Sequence, residues 1–204
     1  MRPLIELILA SPETPEYSPE SSHLPITSIT SDSREVIPGS LFVALKGAKS
    51  DGTQFISQAK NSGAVAVLCD LDANVADVGI PVIRSKNPRQ SLAHMAATFY
   101  SSQPKHIVAV TGTDGKTSTA DFFRQFWYGM GKSSASIGTL GILSGAGEEL
   151  YPGQHTTPDP VGLHKLLAEL AANNVEYVAM EASSHGLDQH RLDGVLLDAA
   201  AFTN

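Results

Sequence analysis

Two short stretches hold residue types that could do chemistry together. The first is "TGTDGKT", residues 111–117, set between an apolar run (107–110) and a helix-like pattern. Gly112 and Gly115 let backbone N–H groups approach an anion closely. A helix that starts there points its positive end at the same spot. Lys116 can reach terminal phosphate oxygens, and the Thr117 hydroxyl stands where a loop of this kind ligates Mg²⁺. The usual phosphate-loop spacing places a glycine where this chain has Val110, so the loop is a shortened variety. A plain strand-to-helix turn is the competing reading, and it leaves Gly-Lys-Thr after a buried strand without a purpose. The second stretch is "YVAMEASSHGLDQHR", residues 177–191. A magnesium site commonly takes a carboxylate from a neighbouring element. Glu181 follows an apolar run and so falls at a strand tip.

The residues after Glu181 are densely polar. Zinc held by Glu181, His185 and His190 fits no ligand spacing, and Gly186 weakens a helix that would align them. Ser184 and His185 are adjacent, so they do not face each other as a nucleophile pair, and no nucleophile elbow is present. Hydrogen bonding to a substrate is the better use of this cluster.

Positioning such groups requires a layered scaffold. From residue 106 the pattern alternates regularly: a buried strand "HIVAVTG", a helix ending at glycine, a strand "SSASIGTLG", a helix with Pro160 in its first turn, and strands "VEYVAMEAS" and "VLLDAAAFTN". This βαβ series predicts a parallel sheet covered by helices, with ligands at the carboxyl ends of its strands. Residues 26–86 hold shorter elements and predict a small α/β unit. The fold class is therefore α/β: a small N-terminal α/β domain, residues 1–86, then an incomplete P-loop-type parallel-sheet ATPase domain, residues 87–204. Residues 3–10 read as a short helix. Residues 11–25, with four prolines, read as a loop or flexible arm. The chain stops just after a buried strand, so a longer protein is expected.

Composition narrows the function. With 204 residues and 42% hydrophobic content the chain can bury a real core. A net charge of -7 argues against a nucleic-acid surface. The single cysteine, Cys69, lies in an apolar run and reads as a core thiol. The apolar start is too short for a membrane span and lacks a signal-peptide core. A cytoplasmic protein, monomeric and without nucleic-acid or membrane partners, is the expectation.

Four segments in order resemble the Mur ligase family, and within it the MurE-type UDP-N-acetylmuramoyl-tripeptide synthetases. They are "SDSREVIPGSLFVALKGAKSDG", "TGTDGKT", "HTTPDP" and "MEASSHGLDQHR". The resemblance covers residues 26–204. It implies an ATP-dependent carbon–nitrogen ligase of peptidoglycan precursor synthesis. Such an enzyme adds a diamino acid, meso-diaminopimelate or L-lysine, to the D-glutamate of UDP-MurNAc-L-alanyl-D-glutamate. The γ-phosphoryl group of ATP would activate the carboxylate as an acyl phosphate, which the amine attacks. Lys116 and Mg²⁺ would spread the developing charge.

The resemblance also implies site residues. Gly112, Thr113, Asp114, Gly115, Lys116, Thr117, Ser118 and Asn204 would contact ATP, and Thr117 and Glu181 would hold magnesium. Lys116, Thr117 and Glu181 form the catalytic set. Ser31, Ser33, Ala48, Lys49 and Ser50 would meet the uridine nucleotide. His155, Thr156, Thr157, Ser183, Gln189 and Arg191 would meet the sugar-peptide. His155 replaces an asparagine common in the family. The chain also ends before the family's modified lysine, adenine contacts and C-terminal domain, so by itself it is expected not to turn over. The rival from another class is a nucleotide-binding Mur-like scaffold without catalysis.

Overall fold

The computed structural model describes residues 1–47, 50–152 and 156–204. The chain divides into two compact units, Met1–Phe99 and Tyr100–Asn204. The first begins with β1 (Arg2–Pro3), α1 (Leu4–Ala10), β2 (Pro25–Ile26), β3 (Ser28–Thr30) and β4 (Ser40–Ala44). A 3-10 turn, Gly52–Phe55, leads into α2 (Ile56–Asn61), and β5 (Ala64–Asp70), β6 (Val82–Ser85) and α3 (Pro88–Tyr100) follow. Strands β3-β4-β5-β6 form a parallel sheet in that order. Continuous apolar runs suit it, because a parallel strand is covered on both faces. Phe42, Ala44, Val67 and Cys69 of the sheet pack with Ile56 and Ala59 of α2 in one core.

Two expectations change here. The proline-rich stretch is docked: Glu16 and Arg84 exchange backbone hydrogen bonds at 2.8 and 2.9 Å, and Pro25 pairs with Pro3. Prolines forbid a helix but leave extended backbone able to pair at a sheet edge. The helix α3, assigned from sequence to the second domain, falls in the first unit up to Phe99. Ser91 on it hydrogen-bonds the hydroxyls of Ser11 and Ser85 at 2.9 and 2.8 Å.

The second unit contains β7 (His106–Thr111), α4 (Lys116–Gly129), β8 (Ser134–Gly138), β9 (Gly141–Ser144) and β10 (Glu149–Tyr151). It continues with α5 (Pro160–Ala172), β11 (Tyr177–Glu181), α6 (Ser184–Asp188) and β12 (Ala199–Phe202). The sheet order is β10-β9-β8-β11-β7-β12, with the last four strands of that order parallel. Side chains of β7 alternate between its faces. Ile107 and Ala109 pack with Leu163, Leu166, Leu167 and Leu170 of α5, while Val108 and Val110 pack with Ala120, Phe123 and Trp127 of α4. The α/β class with a phosphate-loop-type parallel sheet is borne out. The sheet is mixed, however. "SSASIGTLG" is not one strand: the chain reverses through Thr139 and Leu140, and Gly141 pairs back on Gly138. Gly141, at φ 91°, supplies the conformation that so tight a reversal needs.

Candidate phosphate and metal site

The parallel strands β7, β8, β11 and β12 end at one edge, and each end delivers a piece of the site. After β7 comes the loop 112–115. Gly112 and Gly115 both have positive φ, 132° and 81°. Gly115 is the N-cap of α4 and supplies no side-chain cap. By contrast α5 is capped by Asp159, whose carboxylate accepts from the Val161 and Gly162 N–H groups at 3.0 and 3.1 Å. A 14-residue helix whose N-terminal amides have no capping side chain is suited to an anion. Lys116 Nζ donates to the carbonyls of Gly112 and Thr113 at 2.7 and 3.0 Å and so stands over the loop. Thr113 N–H donates to Asn204 O at 2.8 Å, so that amide, expected for phosphate, is engaged. Asp114 and Ser118 are exposed. A cavity of about 390 Å³ lies against the loop, lined by Thr111, Gly112, Lys116, Ser183, Ser184 and Asn204 among others.

Glu181 ends β11, pairs in register with Val110 and is only 2% exposed. Its carboxylate accepts from Thr139 N–H at 2.8 Å and from the Thr139 hydroxyl at 3.3 Å. It lines a narrow cleft together with Thr117, Asp121 and Gly138. Among the described residues, both donors to this carboxylate are neutral groups of one threonine. A buried carboxylate is favoured by a cation beside it, and a hard cation takes oxygen ligands. The Glu181 carboxylate and the Thr117 hydroxyl are oxygen donors bordering one cleft, so this pair fits magnesium.

The polar segment after β11 is knitted to residues 156–157. The buried Thr157 hydroxyl donates to Glu181 O at 3.0 Å, and Ser183 N–H donates to Thr157 Oγ1 at 3.0 Å. Thr156 and Thr139 share a hydroxyl contact of 3.1 Å. Arg191 donates to Thr157 O at 2.7 Å and to Gln189 Oε1 at 2.9 Å. Arg191 and Gln189, read from sequence as substrate contacts, thus also brace the threonine segment. Within the second unit the structure gathers Thr156, Thr157, Ser183, Gln189 and Arg191 beside Glu181. In the first unit, Ser31 and Ser33 follow β3, and Ser50 lies in the loop after the adjacent β4, at the carboxyl edge of that sheet. Ser31 and Ser50 are exposed, and Ser33 Oγ donates to Gln58 Oε1 at 3.3 Å. Ala48, Lys49 and His155 lie outside the described residues.

Sequence reasoning missed Thr139 and Thr203. The "GTLG" reversal at a strand tip was the available sign for Thr139, since a two-residue turn there must face the neighbouring strand's end.

Two family models match in tandem: the Mur ligase family catalytic domain over residues 25–100 and the Mur ligase middle domain over residues 110–204. The chain belongs to the Mur ligase family. This Mur ligase chain is 54% identical over 185 residues to the UDP-N-acetylmuramoyl-L-alanyl-D-glutamate–2,6-diaminopimelate ligase of Brucella melitensis, covering 91% of the chain and 38% of the relative. Against the ligase of the same name from Rhizobium meliloti it is 52% identical over 200 residues, covering 96% and 40%. The chain therefore spans about 40% of the length of these curated relatives. A solved structure of a ligase with that name superposes with a TM-score of 0.79 at 28% identity, over 93% of this chain and 38% of that one. The fold is also shared with the MurF ligase of Thermotoga maritima solved in complex with ADP, at TM-score 0.56 and 23% identity, over 88% of this chain and 37% of that one.

Proposed function

We propose that this chain carries the nucleotide-substrate and phosphate-binding parts of an ATP-dependent ligase that adds a diamino acid to UDP-MurNAc-L-alanyl-D-glutamate. The observation that carries the reading is the convergence of the Lys116 loop, Thr117 and the buried Glu181 carboxylate at the carboxyl ends of the parallel strands of the second unit's sheet. The names of the relatives at 52–54% identity support the substrate and favour 2,6-diaminopimelate over lysine as the amino acid. The loop amides and Lys116 would hold the phosphates of ATP and meet the charge that develops as the γ-phosphoryl group moves to the substrate carboxylate. Thr117 and Glu181 would hold Mg²⁺, which when bound neutralises phosphate charge. Thr156 and Ser183 would present hydroxyls to the sugar-peptide, while the buried Thr157 and Arg191 keep that segment in place. Ser31, Ser33 and Ser50 would take the uridine nucleotide. Retention of Lys116, Thr117 and Glu181 together favours a working site over a scaffold.

Calorimetric titration tests this. The chain should bind UDP-MurNAc-L-alanyl-D-glutamate and, separately, ATP with Mg²⁺. A folded chain that binds neither ligand refutes the reading.

A further inference from the structure

The residues following β12 fold against the phosphate loop. Thr203 N–H donates to Thr111 O at 2.9 Å. The Thr203 hydroxyl lies 2.6 Å from Asp114 O and 3.0 Å from Thr111 O. A hydroxyl has one proton, and the shorter contact to Asp114 O takes it. Asn204 O accepts from Thr113 N–H. The loop is thus tied at Thr111, Thr113 and Asp114 by two consecutive residues from another part of the chain. Gly112 records how close the approach is: a Cβ there would stand 2.4 Å from Thr203 Oγ1 and 2.8 Å from Asn204 N.

The consequence is directional. A trans peptide is planar, so its C=O and N–H point opposite ways. Holding Asp114 O against Thr203 turns the Gly115 N–H away from Thr203, and holding Thr111 O does the same for the Gly112 N–H. We infer that Thr203 is a positioning residue of the phosphate loop: its N–H on Thr111 O and its hydroxyl on Asp114 O fix the directions in which the Gly112 and Gly115 amides, respectively, face a phosphoryl group. This inference rests on the reading of the loop as an ATP site.

The test compares Thr203→Val, which keeps shape and loses the hydroxyl, with Thr203→Ser, which keeps the hydroxyl. In nucleotide-free protein the valine variant should speed hydrogen exchange about tenfold at the amides of residues 113 and 203, which bond Asn204 O and Thr111 O only while this segment is docked, as expected for one lost hydrogen bond. Its affinity for MgATP by calorimetry should fall by a similar factor, and the serine variant should restore both. Wild-type binding of ATP with an unchanged valine variant overturns this inference alone. Equal loss in both variants also overturns it, because the hydroxyl is then not the cause. Failure of the folded wild type to bind MgATP overturns the reading of the loop and this inference with it.

Discussion

Replacing Gly138 with alanine should dislodge the Glu181 carboxylate. A Cβ at Gly138 would stand 2.1 Å from Glu181 Oε1 and 2.7 Å from both Cδ and Cγ. Ordinary contact begins near 3.4 Å, so the carboxylate must shift by on the order of 1 Å. Glu181 is 2% exposed, so there is little room for that shift. The 2.8 Å hydrogen bond from Thr139 N–H to Oε1 would break or stretch. Overpacking costs about 1–3 kcal/mol, and a hydrogen bond to a charged group contributes roughly 1.5–3 kcal/mol. The expected loss of stability is therefore about 2.5–6 kcal/mol, read as a lower urea midpoint with an unchanged slope. Binding of Mn²⁺, used as a paramagnetic substitute for Mg²⁺ and followed by its spin resonance in the presence of ATP, should weaken at the same time. Wild-type urea and Mn²⁺ titrations for Gly138→Ala would show that the carboxylate does not sit against Gly138, and the placement of Glu181 would be wrong.

Lys116→Ala should weaken ATP binding by about tenfold or more, the scale of a charge-assisted contact to phosphate, while circular dichroism stays that of the wild type. Unchanged ATP affinity would remove Lys116 from the phosphate site. Arg124→Ala should cost about 2–4 kcal/mol, measured by urea unfolding. Its buried guanidinium binds Asp121 and the carbonyls of Ser144 and Gly145, which would lose their partner; a change within error would mean the turn holds without it. Burial pushes the Cys69 thiol up from its ordinary range. Because the folded state holds this proton longer than the unfolded chain, the stability it contributes is full below the unfolded thiol's pKa and declines as pH rises above it. Cys69 should also resist a disulfide reagent until denaturant unfolds the protein, and prompt labelling of the native chain would contradict its burial.

Much of this site was legible along the chain because its main pieces are local. A buried apolar run followed by glycine, lysine and threonine places a loop between a strand and a helix, and residues 106–129 fold that way. Glu181 could be set at a strand tip because the run before it is short and wholly apolar. The antiparallel turn at Thr139 was signalled only by Gly138 and Gly141, which fit a continuing strand as well as a reversal, and pairing of β9 with β8 decides between them. The docking of residues 11–25 was hidden for a related reason: proline content excludes a helix but says nothing about which edge an extended segment joins.

The sequence by itself determined the chemistry of the loop, the alternation of strands and helices and the carboxylate beside them, because backbone sterics and apolar periodicity act between near neighbours. Only the tertiary structure decided what holds these groups in place. Thr139 lies 42 residues from Glu181, and Thr203 lies 89 residues from Asp114. Each pair meets because a parallel sheet seats β8 and β12 beside strands distant in sequence. That seating follows from the summed burial of whole strands, which no single residue's type announces.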